Sequence, residues 1–261
     1  MRIRALARSV ILVLGLPTVL VAVWWVVSAN SDSFYWPPLR EIVGTFGDTW
    51  FTGRFSDHVI PSLLRLAVGY GIALVLGVGL GVAIGSSRNL RAVVEPVLEF
   101  FRAIPPPIIV PILILFAGIG DTMKVLVIVS GCIWPILLNT VEGVRSIDEV
   151  LRDTARCYRF GAKTRVLHLV LRGASPQIAT GARQGLSIGL ILMVISEMFA
   201  ANNGLGFSIV QFQRSFAIPE MWTGIIVLGL IGVALSLIYR VVEARALAWY
   251  DGIRAAQRGR G

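Results

Sequence analysis

Residues 66–84 read LAVGYGIALVLGVGLGVAI, nineteen positions without a charged side chain or a proline. At about 1.5 Å of rise per residue, a helix of that length crosses the ~30 Å hydrocarbon core of a bilayer. Within the run and just past it, Gly77, Gly81 and Gly85 recur every four residues. That spacing lays small residues on one helix face, where a second helix can approach closely. A phosphate-loop reading of Gly77-x-Gly79-x-Gly81 does not hold, because it lies inside an apolar span and no Lys-Ser or Lys-Thr follows.

Working outward, five further segments read as membrane helices. Val10 to Val27 ends beside Trp24 and Trp25, aromatic residues suited to a membrane interface. A secretory signal competes here, since Arg2, Arg4 and Arg8 make a basic start and Val27-Ser28-Ala29 resembles a cleavage site. The run is longer than a signal's usual apolar region, so a retained helix is expected. Val93 to Ile119 carries Glu95, Glu99 and Arg102 before Pro105-Pro106-Pro107, which predicts a helix broken or bent at the prolines. The others are Met123 to Val141, Ile188 to Ala201 with a start near Thr180, and Trp222 to Tyr239. The expected architecture is an all-α polytopic membrane protein of six transmembrane helices.

Composition agrees. Of 261 residues, 56% are hydrophobic and only 15% charged, against roughly a quarter charged in an average soluble domain. Mean hydropathy is +0.77. A net charge of +9 suggests an inside-facing distribution rather than a nucleic-acid surface. Of the 24 Lys and Arg, Arg40, Arg54, Arg65, Lys124 and Arg214 fall on one side and Arg102 lies within the third segment, leaving eighteen on the other. Both termini are therefore expected in the cytoplasm. Cys132 and Cys157 read as unpaired, and His58 and His168 lie far apart, so no metal-ligand spacing is present.

Four regions follow: residues 1–28, the cytoplasmic tip and first span; 29–60, an outer connector; 61–245, the membrane core; and 246–261, a basic tail. In the connector, Ile42, Val43, Phe46, Trp50 and Phe51 suit an amphipathic helix on the membrane surface. Within the core, an inner loop at about 143–179 carries Asp148, Glu149 and Asp153 ahead of Arg156, Arg159, Lys163 and Arg165. Acidic residues early and basic ones late complement a helix dipole, predicting a helix near Ile147 to Phe160 with a turn at Gly161. A second helix from Lys163 to Arg172 follows, and Pro176 marks the start of the fifth span. Such a protrusion suits docking to a cytoplasmic partner, while composition alone equally allows contact with anionic lipid headgroups.

Three separated stretches carry a family resemblance. One runs from Gly181-Ala182-Arg183-Gln184-Gly185-Leu186 through Ile195-Ser196-Glu197-Met198-Phe199-Ala200-Ala201-Asn202-Asn203-Gly204-Leu205-Gly206-Phe207. The others are Phe101-Arg102-Ala103-Ile104-Pro105-Pro106 on to Phe116-Ala117-Gly118-Ile119-Gly120, and Trp134-Pro135-Ile136-Leu137-Leu138-Asn139-Thr140 on to Arg145-Ser146-Ile147-Asp148. From Pro61 to about Asp251 the chain resembles the permease subunit of a bacterial ATP-binding-cassette importer, in the branch handling sulfonates, taurine, nitrate and similar small anions. The family's signature loop reads Glu-Ala-Ala, three residues, Gly, nine residues, Ile-x-Leu-Pro. At that spacing stand Asp153-Thr154-Ala155, Arg159, Leu169, Leu171 and Arg172. Thr154, Arg159 and Arg172 depart from the pattern, with Gly161 available for a displaced turn.

The resemblance implies a type I importer permease fold and alternating access. It implies two permease copies or a pair with a related permease, two cytoplasmic ATPases and an extracytoplasmic solute-binding protein. ATP would be bound by the ATPases, with no cofactor in this chain. The loop residues Asp153, Thr154, Ala155, Arg156, Arg159, Phe160, Gly161, Lys163 and Arg165 would dock on the ATPase and transmit its motion. Glu197, an intramembrane carboxylate near the outer surface, must be buried with a partner or line a path. Arg102 is one candidate partner or an anion-facing group; Pro105 and Pro106 break a helix, as helices lining transport paths often are. No hydrolytic constellation of serine, histidine and carboxylate is recognisable, so no enzyme is expected. A stand-alone secondary transporter or an integral membrane enzyme would need coupling sites or clustered titratable groups that the sequence does not offer.

Overall fold

The computed structural model describes residues 2–199, 201–250 and 252, with side chains from residue 15 onward except at 200. The side chains of Arg2, Arg4 and Arg8, residue Ala200 and most of the 246–261 tail lie outside this description. The described residues are almost wholly helical and contain no strand. The elements are α1 (Arg2–Ser28), α2 (Leu39–Trp50), a π-helical turn (Phe55–Val59) leading into α3 (Ile60–Ser86), α4 (Arg88–Ala103), α5 (Pro106–Ala117) and α6 (Asp121–Arg145). There follow α7 (Glu149–Cys157), α8 (Ala162–Thr164), a second π-helical stretch (Arg165–Val170), α9 (Leu171–Phe199), α10 (Leu205–Arg214) and α11 (Ile218–Ala246). Among the described residues four helical runs are long and apolar enough to cross a membrane, Phe55–Ser86, Asp121–Arg145, Ala162–Phe199 and Ile218–Ala246; α4 and α5 make a fifth if the bent pair is one span.

Glycine contacts set the helix directions. A Cβ on Gly69 or Gly77 would meet Ile128 or Ile136 at 2.8 Å, and one on Gly81 or Gly85 would meet Thr140 at 2.6 Å or Val144 at 2.8 Å. Contact points advance together along both helices, so α3 and α6 are parallel and packed closer than any side chain would allow. The small-residue face expected from the sequence is thus a helix–helix seam. Parallel neighbours that each cross the bilayer require the chain between them to cross back. Only α4 and α5 are available, bent by 91° where Ile104 and Pro105 interrupt the helix. The proline triplet explains the break: Pro cannot donate to the preceding turn, and the residue before it is pushed to extended geometry.

Helix α9 packs antiparallel on α6, with Gly143 against Gln177 at one end and Gly189 against Cys132 nearer the other. Helix α11 returns antiparallel to α9: a Cβ on Gly232 would meet Leu190 at 3.1 Å, while further along α11 the Tyr239 hydroxyl donates to the Ala179 carbonyl at 2.6 Å, and an Arg183–Glu243 pair adds a tie at that same end. At the opposite end Trp24 of α1 packs at a tilt against Trp222 of α11 with ring centroids 5.7 Å apart. This alternation is consistent with six spans. Val127, Ile128, Cys132 and Ile136 of α6 form the core with Leu66 and Ala73 of α3 and Leu192 and Met193 of α9. Both cysteines are free, Cys132 buried and Cys157 exposed.

Two elements differ from expectation. Helix α2 does not simply lie on a membrane surface: Leu39, Ile42 and Trp50 are buried, and the Trp50 indole donates to Thr223 of α11 at 2.9 Å, while Val43 and Phe51 stay exposed. Pro176 does not begin a helix; it sits within a helical run continuous from Ala162 to Phe199. The run survives because the Ser175 hydroxyl donates to the Arg172 carbonyl at 2.8 Å, the acceptor that a proline at 176 leaves without its amide donor.

Candidate functional site

The predicted loop helix is present as α7. Asp148 caps it by accepting from the Val150 amide at 2.7 Å, Glu149 lies in its first turn and Arg156 in its last. Arg152 donates to the Val144 carbonyl, anchoring α7 to the end of α6. Of the α7 residues only Ala155 is buried, so the family's alanine position is the contact holding the helix down. Apart from the tethered Arg152 the rest projects: Val150 is 71% exposed and Tyr158 73%, with Leu151 and Phe160 also exposed. Asp153 pairs with Arg156 at 2.8 Å, in the open.

The turn is not displaced to Gly161. Arg159 itself adopts φ +52°, and the Phe160 amide reaches back to the Ala155 carbonyl at 3.0 Å, a left-handed helix stop of the kind glycine usually makes. The position where the signature has glycine therefore keeps glycine's conformation with an arginine in place, while Gly161 has ordinary extended geometry before α8. Lys163 and Arg165 follow on the exposed first turns of the next helix.

A second cluster surrounds Glu197 at the far end of α9. Its carboxylate is 1% exposed and accepts from Arg65 Nη1 at 2.7 Å, the Gly206 amide at 3.0 Å and the Ser62 hydroxyl at 2.7 Å. Ser62 Oγ accepts from the Leu205 amide at 2.9 Å, and His58 Nδ1 accepts from the Gly204 amide at 3.1 Å. Three successive amides at the start of α10 are thus satisfied by three side chains, and a carboxylate sits where the helix dipole favours negative charge. Gly204 has φ +123°, and a Cβ there would lie 2.4 Å from the Glu197 carboxyl carbon. Arg65 also binds Asp121 at 2.7 Å and Asn203 Oδ1 at 2.5 Å, while buried Lys124 lies 3.6 Å from Asp121.

Arg102 is not Glu197's partner. It is exposed on α4 and pairs with Glu99 at 2.5 Å. Sequence reasoning placed Arg65 only among the outer charges, although its position at the mouth of an uncharged run matched the depth of Glu197 while that of Arg102 did not. Pro105 and Pro106 lie at the helix break, and Pro106 reaches within 3.3 Å of a Cβ on Gly131, near the middle of α6.

An all-helical core, a bent crossing and a helical hairpin projecting from one end define a multi-pass helical membrane protein, and the comparisons identify which kind. Residues 73–247 match the family of binding-protein-dependent transport system inner membrane components. A taurine transport system permease protein of Escherichia coli is 30% identical over 95% of this chain and 93% of its own length. A nitrate import permease protein of Synechocystis is 27% identical over 87% and 85%. In fold the chain resembles the methionine transporter MetNI in an inward-facing form, with TM-score 0.62 over 72% of this chain and 94% of that one, at 20% identity. This chain belongs to the family of binding-protein-dependent transport system inner membrane components and is an ATP-binding-cassette permease subunit, with relatives named for taurine, aliphatic sulfonates and nitrate. It is a transport component, not an enzyme.

Proposed function

We propose that this chain forms one half of a translocation pore for a small anion, with α7 and its following turn as the docking element for a cytoplasmic ATPase. The observation that carries the docking is α7 itself: a capped helix anchored through Arg152 and Ala155 that leaves Val150, Leu151, Tyr158 and Phe160 without an intramolecular cover. Apolar side chains on a rigid protrusion beyond the spans, rimmed by Arg156, Arg159, Lys163 and Arg165, are suited to a protein groove. The charge distribution supports a cytoplasmic position for this end and for both termini. A solute-binding protein would then act on the opposite end.

A second permease, identical or related, completes the pore. Helix α4 favours this arrangement, since Glu95, Glu99 and Arg102 form a polar stripe along the second half of an element with no buried residue. Charged side chains at that position are costly against lipid and are accommodated by a partner or a water-filled path. The path would include Arg102 and the break at Pro105 and Pro106. Glu197 serves it indirectly, as the group that fixes α10 beside the outer mouth. Taurine, nitrate and the bicarbonate transported by a related permease system share a small, charged chemistry, which supports a small anion or zwitterion as the substrate.

Co-purification with the partner ATPase tests the docking. Arg156→Glu combined with Arg159→Glu is expected to abolish assembly and stimulated hydrolysis, whereas Arg159→Gly, which keeps the left-handed turn, preserves both. Assembly of the charge-reversed chain at wild-type levels removes the assignment.

A further inference from the structure

At the basic end, beside α7 but separate from its exposed face, lies a cavity of about 440 Å³ lined by Gly85, Ser86, Ser87, Arg88, Arg91, Arg145 and Arg152. Its four arginines come from α4, α6 and α7, so three elements converge on it. Arg91 contacts Glu95 at 3.4 Å and Arg145 contacts Glu142 at 2.8 Å, both carboxylates outside the cavity lining. Arg152 is held by a backbone carbonyl, which leaves its charge uncompensated. Four guanidinium groups against two carboxylates leave an excess of two positive charges on a concave surface, and no acidic side chain lines it. Such a surface calls for an anion with several acceptor oxygens, since each guanidinium presents a fork of donors.

Depth selects the source of that anion. Gly85 packs on Val144, so the cavity sits level with the last turns of α3 and α6, where spans leave the hydrocarbon. Helix α4 begins there, and on the face turned away from Arg88 and Arg91 its Val93, Val97, Phe100 and Phe101 are exposed, as suits an element at the depth of the acyl chains. We infer that this cleft binds the phosphate headgroup of an anionic phospholipid of the inner leaflet, with Arg88, Arg91, Arg145 and Arg152 as its ligands. Basic pockets between helices on the cytoplasmic side are suited to such headgroups. Because Arg152 also anchors α7, an occupied site ties the lipid surface to the base of the projecting loop. The binding site stands on the cavity alone and does not depend on ATPase docking.

Native mass spectrometry of the purified full-length chain tests it, titrating phosphatidylglycerol against phosphatidylcholine. Wild-type protein is expected to retain phosphatidylglycerol preferentially. Arg88→Gln combined with Arg91→Gln should weaken that preference about thirtyfold, the effect of two charges near a membrane surface. Arg240→Gln with Arg245→Gln, at the basic end of α11, should leave it intact. Equal retention of both lipids by wild type, or unchanged preference in the Arg88/Arg91 variant, overturns the site. Displacement of phosphatidylglycerol by millimolar inorganic phosphate overturns the lipid assignment in favour of a soluble anion.

Discussion

Glu197 shows how a carboxylate in a membrane span becomes tolerable. Its charge is met by Arg65, its remaining acceptor capacity by Ser62 and the Gly206 amide, and the excess positive charge of Arg65 by Asp121. Removing one partner from such a network strands the other. Arg65→Met should therefore destabilise the folded chain by about 3–5 kcal/mol, and Glu197→Gln by about 1–3 kcal/mol, since the amide keeps one acceptor but loses the charge. Thermal unfolding in detergent measures both. A Glu197→Gln chain that unfolds like wild type yet loses transport would make the carboxylate a pathway group rather than a structural one. The need for a partner was legible in the sequence, because a carboxylate in an apolar segment demands one. Its identity was not, because the partner lies on α3, 132 residues away in sequence, and only relative depth distinguishes Arg65 from Arg102.

At the scale of elements, spans with strong apolar runs could be read directly, and so could the break at the proline triplet. What remained hidden was continuity: Ser175 compensates Pro176 through one hydroxyl, and Arg159 takes a backbone conformation that its residue type disfavours by roughly 1–2 kcal/mol. Both rest on local hydrogen bonds, Ser175 to the Arg172 carbonyl and the Phe160 amide to the Ala155 carbonyl, that a residue-type rule does not carry. The α3–α6 seam, in contrast, was legible from the glycine period. A Cβ at Gly79, off the seam, would meet nothing within 4 Å, whereas at Gly81 it would lie 2.6 Å from Thr140 and 2.9 Å from the Leu137 carbonyl. Gly81→Leu is therefore expected to cost at least about 1–3 kcal/mol through overpacking and to reduce folded yield, while Gly79→Leu is tolerated. Yield by size-exclusion chromatography decides between them. Equal loss from both would show that helix flexibility, not close approach, keeps these positions small.

For the whole molecule, the direction of every span follows from one fact, because the seam contacts and the antiparallel α9 and α11 fix all orientations relative to α3. Locating one residue on one side of the membrane thus orients the entire chain. Cys157 is suited to report it, since it is exposed at the last position of α7 while Cys132 is buried in the core. With Arg145, Arg152, Arg156, Arg159, Lys163 and Arg165 at that end among the described residues, the inside-positive distribution argues for a cytoplasmic Cys157. A membrane-impermeant maleimide should leave it unlabelled in intact spheroplasts and label it once the membrane is opened, with Cys157→Ser abolishing the signal. Thr52→Cys in that Cys157→Ser background, on the exposed turn after α2, should label without opening. Labelling of Cys157 in intact spheroplasts would invert the chain and place α7 beyond the reach of any cytoplasmic ATPase, so this experiment tests the docking proposal before any partner has been isolated.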